Sequence, residues 1–282
     1  NNTNIDEIID KFLSQNELSN KEKFFAHKLR EELKKIVKII KEQQSMGDLN
    51  ESLYEQKIVV ENQNYNLVGK IDKIMYKKDN DKTINPKLEK CEHYESLIDY
   101  KTGNADINLK YKDYGLNMQL PIYIYLINHS KLKNIKIAGF YLQKIHLEVP
   151  KKENKLLDDK LKENLKLEGY SNKNKDYLRL IDEEFENSSV IKSMKVKNDG
   201  DFYYYSKVLS DDEIEELSNF TEQKLNEAAK KILKAEFNIN PKKIGKTNKG
   251  CQFCKFKDIC YMEDYDIIKI EKGDDDDTEE TE

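Results

Sequence analysis

The stretch SLIDYKTG, residues 96–103, carries an apolar pair, Leu97 and Ile98, directly into an aspartate and a lysine one residue apart. An extended segment alternates its side chains between two faces, so Asp99 and Lys101 point the same way, with Tyr100 opposite. The body of such a strand must be covered while its charged end reaches solvent or a polar site. A second strand pattern, LVGKID, ends in Asp72, and the alternation of YEQKIVVENQNYNLVGKIDKIMY around ENQN predicts a hairpin leading into it. If the two acidic strands are neighbours, two carboxylates meet beside one ammonium.

Two carboxylates in one place repel and push one pKa upward unless a cation lies between them. Hard oxygen donors favour Mg²⁺ or Mn²⁺, which keep waters available for chemistry. A lysine beside such an ion orients or deprotonates an attacking water, or steadies developing charge on a phosphate. Glu55, in YEQKIVV, is expected to add an oxygen ligand or orient a water; its plainer reading is an exposed strand-end glutamate. Taken singly, Asp-x-Lys at a strand end is most often a surface ion pair. The joint pattern points instead to phosphodiester hydrolysis.

The remaining pattern implies an α/β fold. Residues 5–45 have the spacing of amphipathic helix, and YGLNMQLPIYIYLINH that of a buried helix whose Pro121 is tolerated near its start. KIAGFYLQKI then reads as a strand, giving strand, helix, strand. The lysine- and asparagine-rich residues 77–95 read as an excursion loop, and residues 151–200 as a charged, irregular insertion. Ser210 and Glu213 make a capping-box pattern at the head of a long amphipathic helix.

Of the 282 residues, 37% are charged and 37% hydrophobic, with 17 Tyr and no Trp, polar for a globular chain but too aromatic for a disordered one. The net charge of -5 comes from GDDDDTEETE at the C-terminus, since the rest of the chain carries about +2. A near-neutral body neither favours nor excludes nucleic acid. No apolar run has the length of a membrane span and no start resembles a signal peptide, so a cytoplasmic location without a membrane partner is expected. The opening NNTNIDEIID lacks Met, which suggests a piece of a longer protein. Cys251, Cys254 and Cys260 form C-x2-C-x5-C, a density that argues for metal over disulfide; the spacing alone does not separate zinc from iron-sulfur.

Taken in order, GKIDKI, LIDYKTG, GLNMQLPIYIY with Gln119 and Tyr123, and IAGFYLQKI resemble the RecB-like branch of the PD-(D/E)XK nuclease superfamily. The likeness is closest to the C-terminal nuclease domain of the AddB/RexB family of bacterial helicase-nuclease subunits. It implies a restriction-endonuclease-like mixed sheet flanked by helices. It also implies a Mg²⁺-dependent exonuclease acting on single-stranded DNA ends in double-strand-break repair, with a helicase-nuclease partner subunit. Within it, Asp72 and Asp99 would be metal ligands, Lys101 the catalytic lysine, and Gln119 and Tyr123, four apart on one helix face, part of the site. The cysteines would supply three of four thiolates to a [4Fe-4S] cluster.

Two departures stand out. The family's first cysteine lies well upstream of the nuclease core, whereas the only other cysteine here is Cys91; and His27 in FFAHKLREEL is the sole candidate for the family's metal-binding histidine. The organisation expected is a helical segment at 1–50, a nuclease domain at 51–262 and an acidic, disordered tail at 263–282. The rival readings are a non-catalytic DNA-binding or scaffold module and a zinc-stabilised interaction domain.

Overall fold

The computed structural model describes residues 4–77, 93–130, 135–145 and 157–271. The chain divides into two compact units, one built from residues up to Lys110 together with Asn117–Gln223, the other from Tyr111–Leu116 and the residues from Lys224 onward.

The first unit opens with two helices, α1 (Ile5–Gln15) and α2 (Asn20–Gln44). Asn4 caps α1 by accepting the Asp6 N–H, and Ser19 with Glu22 forms a complete capping box on α2. Arg30 and Lys34 of α2 pair with Asp6 and Asp10 of α1, which holds the two helices together. Behind them stands a six-stranded sheet in sequential order β1 to β6, comprising β1 (Glu51–Glu61), β2 (Asn66–Tyr76), β3 (His93–Lys101), β4 (Ile135–Lys144), β5 (Leu167–Asn172) and β6 (Val208–Leu209). β1 and β2 form the expected hairpin, β2 is antiparallel to β3, β3 is parallel to β4, and β5 is antiparallel to β4 and parallel to β6. This is the mixed, restriction-endonuclease-like α/β architecture foreseen from the sequence.

The parallel step from β3 to β4 is made through α3 (Gln119–Asn128), whose Leu120, Ile124, Tyr125, Leu126 and Ile127 are all buried. Pro121 falls in its first turn, where its missing N–H has no intrahelical acceptor to lose. The helix lies directly on the β2 backbone: a Cβ at Gly69 would collide with Leu126 Cδ1.

Residues 157–200 correct the expectation of an irregular insertion. They form α4 (Leu157–Asn164), β5 and α5 (Lys175–Ile181), and their Leu167, Leu178, Ile181, Phe185, Val190 and Ile191 pack with Leu49, Met75, Ile98 and Tyr141 in one core cluster. Apolar residues here are spread between charges at no fixed period, so burial came from tertiary packing that periodicity does not register. Residues 78–92, with Cys91, and residues 151–156 lie outside the described residues, as does His146.

Polar groups also cross this unit. Gln143 of β4 donates to Gln43 Oε1 of α2 at 2.9 Å and to the Leu165 carbonyl at 2.9 Å, and Gln43 donates to that same carbonyl at 3.2 Å. Both glutamines are buried, so α2 is fastened to the sheet by groups that would be costly to leave unpaired.

α6 (Asp211–Leu233) opens with the anticipated Ser210 and Glu213 capping box and passes into the second unit. That unit holds a small sheet in which β7 (Lys242–Ile244) lies between β8 (Thr247–Asn248) and β9 (Ile268–Ile270). The expected disordered tail from residue 263 is corrected by β9: Ile267, Ile268 and Ile270 precede the acidic run, and Ile270 is buried. Residues 272–282 lie outside the described residues. Among the described residues no helix is long and apolar enough to cross a membrane.

Candidate active site

The β2–β3 ladder ends with the pair Lys73 and Ile98. One step further, the register sets Asp72 across from Asp99, and there the Asp72 carboxylate replaces a strand partner by accepting the Tyr100 backbone N–H at 3.0 Å. Burial pushes the Asp72 carboxyl above the usual carboxylate range against the effect of that hydrogen bond, and the Asp99 and Glu55 charges push it further while Lys101 opposes them.

Asp99 is 2% exposed and organises the rest. Its Oδ1 accepts from the Tyr123 hydroxyl at 2.8 Å and from Gln119 Nε2 at 2.5 Å. Its Oδ2 meets Lys101 Nζ at 2.5 Å and makes no hydrogen bond of good geometry among the described residues. Lys101 in turn donates to Gln119 Oε1 at 2.7 Å, and Gln119 Nε2 also reaches the Tyr123 hydroxyl at 3.2 Å. Gln119 and Tyr123 meet because they lie one turn apart on α3. Burial, and then the hydrogen bond to Asp99, raises the Tyr123 pKa, so its hydroxyl stays a donor.

The structure thus brings together Asp72, Asp99, Lys101, Gln119 and Tyr123. Glu55 sits opposite Asp72, between the pairs Tyr54–Lys73 and Gln56–Ile71, but has a left-handed backbone, φ 54°, and an exposed side chain in an ion pair with Lys70. A positive φ at a residue other than glycine is uncommon and leaves no mark in alternation. His27 is exposed on α2, and no hydrogen bond or ion pair joins it to the acidic pair among the described residues. Sequence reasoning missed the Tyr100 N–H, which any strand residue carries and no side-chain pattern reveals. It also missed Lys73, 1% exposed, whose Nζ lies 3.4 Å from Gln44 Oε1 and 5.8 Å from the centre of the Tyr54 ring. Burial depresses the Lys73 pKa to about 8.

The donor set suits a hard divalent cation. Two carboxylates face each other, one with its pKa raised by burial and further by the other's charge, and Asp99 Oδ2 has acceptor capacity to spare. Mg²⁺ characteristically takes one or two carboxylates and keeps its remaining waters. Among the described residues, no group of three or more His, Cys, Asp or Glu side chains could by itself hold a metal ion. The same holds in the second unit, where Cys251, Cys254 and Cys260 are free thiols and Cys251 Sγ lies 3.6 Å from Met262 Sδ. Their soft donors suit zinc or iron, but the three are not gathered into a metal site.

The mixed sheet, the facing aspartates and the Asp-x-Lys strand end define a nuclease fold, and the sequence pattern of the PD-(D/E)XK nuclease superfamily matches residues 2–261. The chain belongs to that superfamily. Within it, the chain is similar to proteins named as a subunit of an ATP-dependent helicase/deoxyribonuclease. It is 28% identical to the one from Caldanaerobacter subterraneus subsp. tengcongensis over 92% of this chain and 23% of the relative. For Clostridium kluyveri the identity is 26% over 92% and 24%, and for Carboxydothermus hydrogenoformans 29% over 73% and 18%. The chain therefore spans about a quarter or less of the length of these relatives.

Proposed function

We propose that this chain is the nuclease module of a larger helicase-nuclease, a metal-dependent exonuclease that trims single-stranded DNA ends in double-strand-break repair and recombination, with a helicase-nuclease partner subunit. The observation that carries this reading is the closed network in which Asp99 is held by Tyr123, Gln119 and Lys101 directly across from Asp72. A surface ion pair needs no such enclosure, since its lysine and carboxylate gain little from being fixed.

Asp72 and Asp99 would hold Mg²⁺ or Mn²⁺, with Glu55 contributing only after release from Lys70. When bound, the cation supplies positive charge that acidifies water and offsets the charge of a phosphodiester. The other roles fall to the chain's own groups. Tyr123 and Gln119 donate to Asp99 Oδ1, which fixes the carboxylate plane and leaves Oδ2 turned toward Lys101. Lys101, with its side chain 30% exposed, carries its proton at Nζ where it can orient an attacking water or meet a phosphate oxygen. Gln119 positions that ammonium through its carbonyl oxygen.

The test is cleavage of single-stranded DNA by the full chain in Mg²⁺, compared with Lys101→Ala and Asp99→Asn. Each variant should lose at least about a hundredfold in rate while keeping the wild-type circular dichroism spectrum. Equal activity of Lys101→Ala and wild type would overturn the mechanism. We assign Cys251, Cys254 and Cys260 to a [4Fe-4S] cluster whose fourth ligand lies outside the described residues, with zinc as the alternative occupant; no catalytic step passes through it.

A further inference from the structure

Lys101 ends β3 and Gln119 begins α3, so the chain between them, residues 102–118, leaves the site and has to bring Gln119 back to it. The Lys101 end is fixed by the sheet, since its carbonyl accepts the Ile145 N–H, just past β4, at 2.9 Å. The Gln119 end lacks an equivalent hold of its own. Met118, the N-cap of α3, makes no side-chain cap hydrogen bond, and Pro121 in the first turn brings no N–H. The placement of that turn is therefore sensitive to the segment before it.

Three consecutive residues of the segment are anchored by side chains from elsewhere in the fold. Lys207 Nζ donates to the Ile107 carbonyl at 3.0 Å, Asn117 Nδ2 donates to the Asn108 carbonyl at 3.0 Å, and the Leu109 N–H donates to the Tyr170 hydroxyl at 3.3 Å. Ile107 and Asn108 are buried, so a lost partner is poorly replaced by water. Asn117 has a left-handed backbone, φ 56°, a conformation that asparagine tolerates, and it turns the chain into α3 two residues before Gln119.

The anchor belongs to the sheet. Leu142 pairs with Asp99 on one side and with Glu168 on the other, and paired residues share a face, so Glu168 stands on the Asp99 face two strand spacings away, roughly 10 Å. Glu168 is buried and holds two lysines, Lys207 at 2.6 Å and Lys192 at 3.2 Å. Lys207 Nζ also lies 5.9 Å from the centre of the Tyr170 ring, which stacks on Phe140 of β4 at 5.6 Å. Asp106 stands 3.9 Å from the same ammonium. Two carboxylates thus meet two lysines, and the cluster is balanced within itself rather than left with charge for a phosphate.

We propose that Lys207, fixed by Glu168, is a positioning residue of the nuclease site: through the Ile107 carbonyl, the adjoining Asn108 carbonyl and the Asn117 amide it holds Gln119 where Gln119 meets Lys101, Asp99 and Tyr123. Gln119 reaches those three groups at 2.7, 2.5 and 3.2 Å. A displacement of about 1 Å would break such contacts, and misplacement on that scale costs about a hundredfold in rate. Supporting groups of this kind work by locking the side chains that touch the reaction, not by touching it themselves. The role rests on the nuclease reading, since it serves that reaction.

The experiment follows cleavage of single-stranded DNA by the full chain in Mg²⁺, and amide hydrogen exchange without DNA, for wild type, Lys207→Met, Lys207→Arg, Asn117→Gly, Gln119→Ala and the double variant Lys207→Met with Gln119→Ala. Lys207→Met and Asn117→Gly should lose about ten- to a hundredfold in kcat with KM and its salt dependence unchanged. Lys207→Arg, which keeps a donor, should regain most of what Lys207→Met loses. Because Lys207 acts through Gln119, the double variant should be no slower than Gln119→Ala alone. In Lys207→Met, exchange should quicken at the Leu109 and Ile122 N–H groups and stay unchanged in the second half of α3. Losses that multiply in the double variant would overturn the proposal, and so would a raised KM with a shallower salt dependence, the mark of a phosphate contact. If wild type does not cut while Lys207→Met still frees the first turn of α3, the nuclease reading alone falls; wild-type exchange in Lys207→Met would overturn the positioning role whatever the activity.

Discussion

At the scale of single residues, the site is a problem in charge. Asp72 has its pKa raised in the folded chain, mainly by burial and then by Asp99 and Glu55. The folded chain therefore binds more protons than the unfolded one as pH climbs from the ordinary value of 3.8 toward the raised one. Stability falls across that window, and above it Asp72 carries a constant cost. Asp72→Asn should accordingly raise the melting temperature at pH 7 and not at pH 3, because asparagine keeps an oxygen for the Tyr100 N–H. Mg²⁺ should then narrow the gap at pH 7 by stabilising wild type more than the variant; melting curves at both pH values, with and without the ion, check this, and a gap independent of pH would contradict it. That Asp99 and Lys101 share one face and Gln119 and Tyr123 another was legible because strand and helix periodicities fix which side chains lie together; that the two pairs belong to one site was implied by the family resemblance alone. Glu55 was not, since its left-handed backbone and its partner Lys70 depend on how β1 lies against β2.

At the scale of elements, β2 carries a conflict between its two ends. Its exposed half alternates as expected, but near Asp72 it passes under cover, and Lys73 goes inside with it. The depression of the Lys73 pKa from 10.5 to about 8 corresponds to roughly 3 kcal/mol of instability near neutrality. Because the unfolded chain holds the proton up to its own higher pKa, wild-type stability should rise as pH goes from about 8 to 10.5. Lys73→Met, which keeps volume and removes the charge, should stabilise the protein at pH 7 with a gain that shrinks by pH 10. Urea unfolding at the two pH values measures it, and an equal gain at both would contradict the assignment. β3 and β4 are covered on both faces and α3 nearly all round, so these could be read from apolar runs bounded by polar breaks, as the hairpin could from its alternation. β5 could not: it is a six-residue strand, LEGYSN, whose Gly169 leaves no room for a Cβ against the Phe140 carbonyl oxygen. Its membership in the sheet is decided by neighbours far away in sequence.

At the scale of the whole molecule, each unit has its own chemistry. The first contains the facing aspartates and the core cluster that supports them; the second contains the thiols. Purification without oxygen should yield iron, sulfide and absorbance near about 400 nm if the cysteines hold a cluster, and zinc without colour if they do not. Cys254→Ser should lose the metal while leaving the far-ultraviolet signature of the first unit in place; retention of full metal content by that variant would contradict the assignment. The three cysteines were visible as a motif, but a spacing of ten residues does not fix where the thiols point, and among the described residues they are not gathered into a metal site. A further consequence concerns time. The buried amide of Gln43 finds its acceptor at Leu165, 122 residues later. At about 5 to 20 residues per second, Gln43 is synthesised some 6 to 25 s before the carbonyl that completes its helix. A helix made early is thus completed late, and during that interval its apolar face is open to whatever chaperone reaches it.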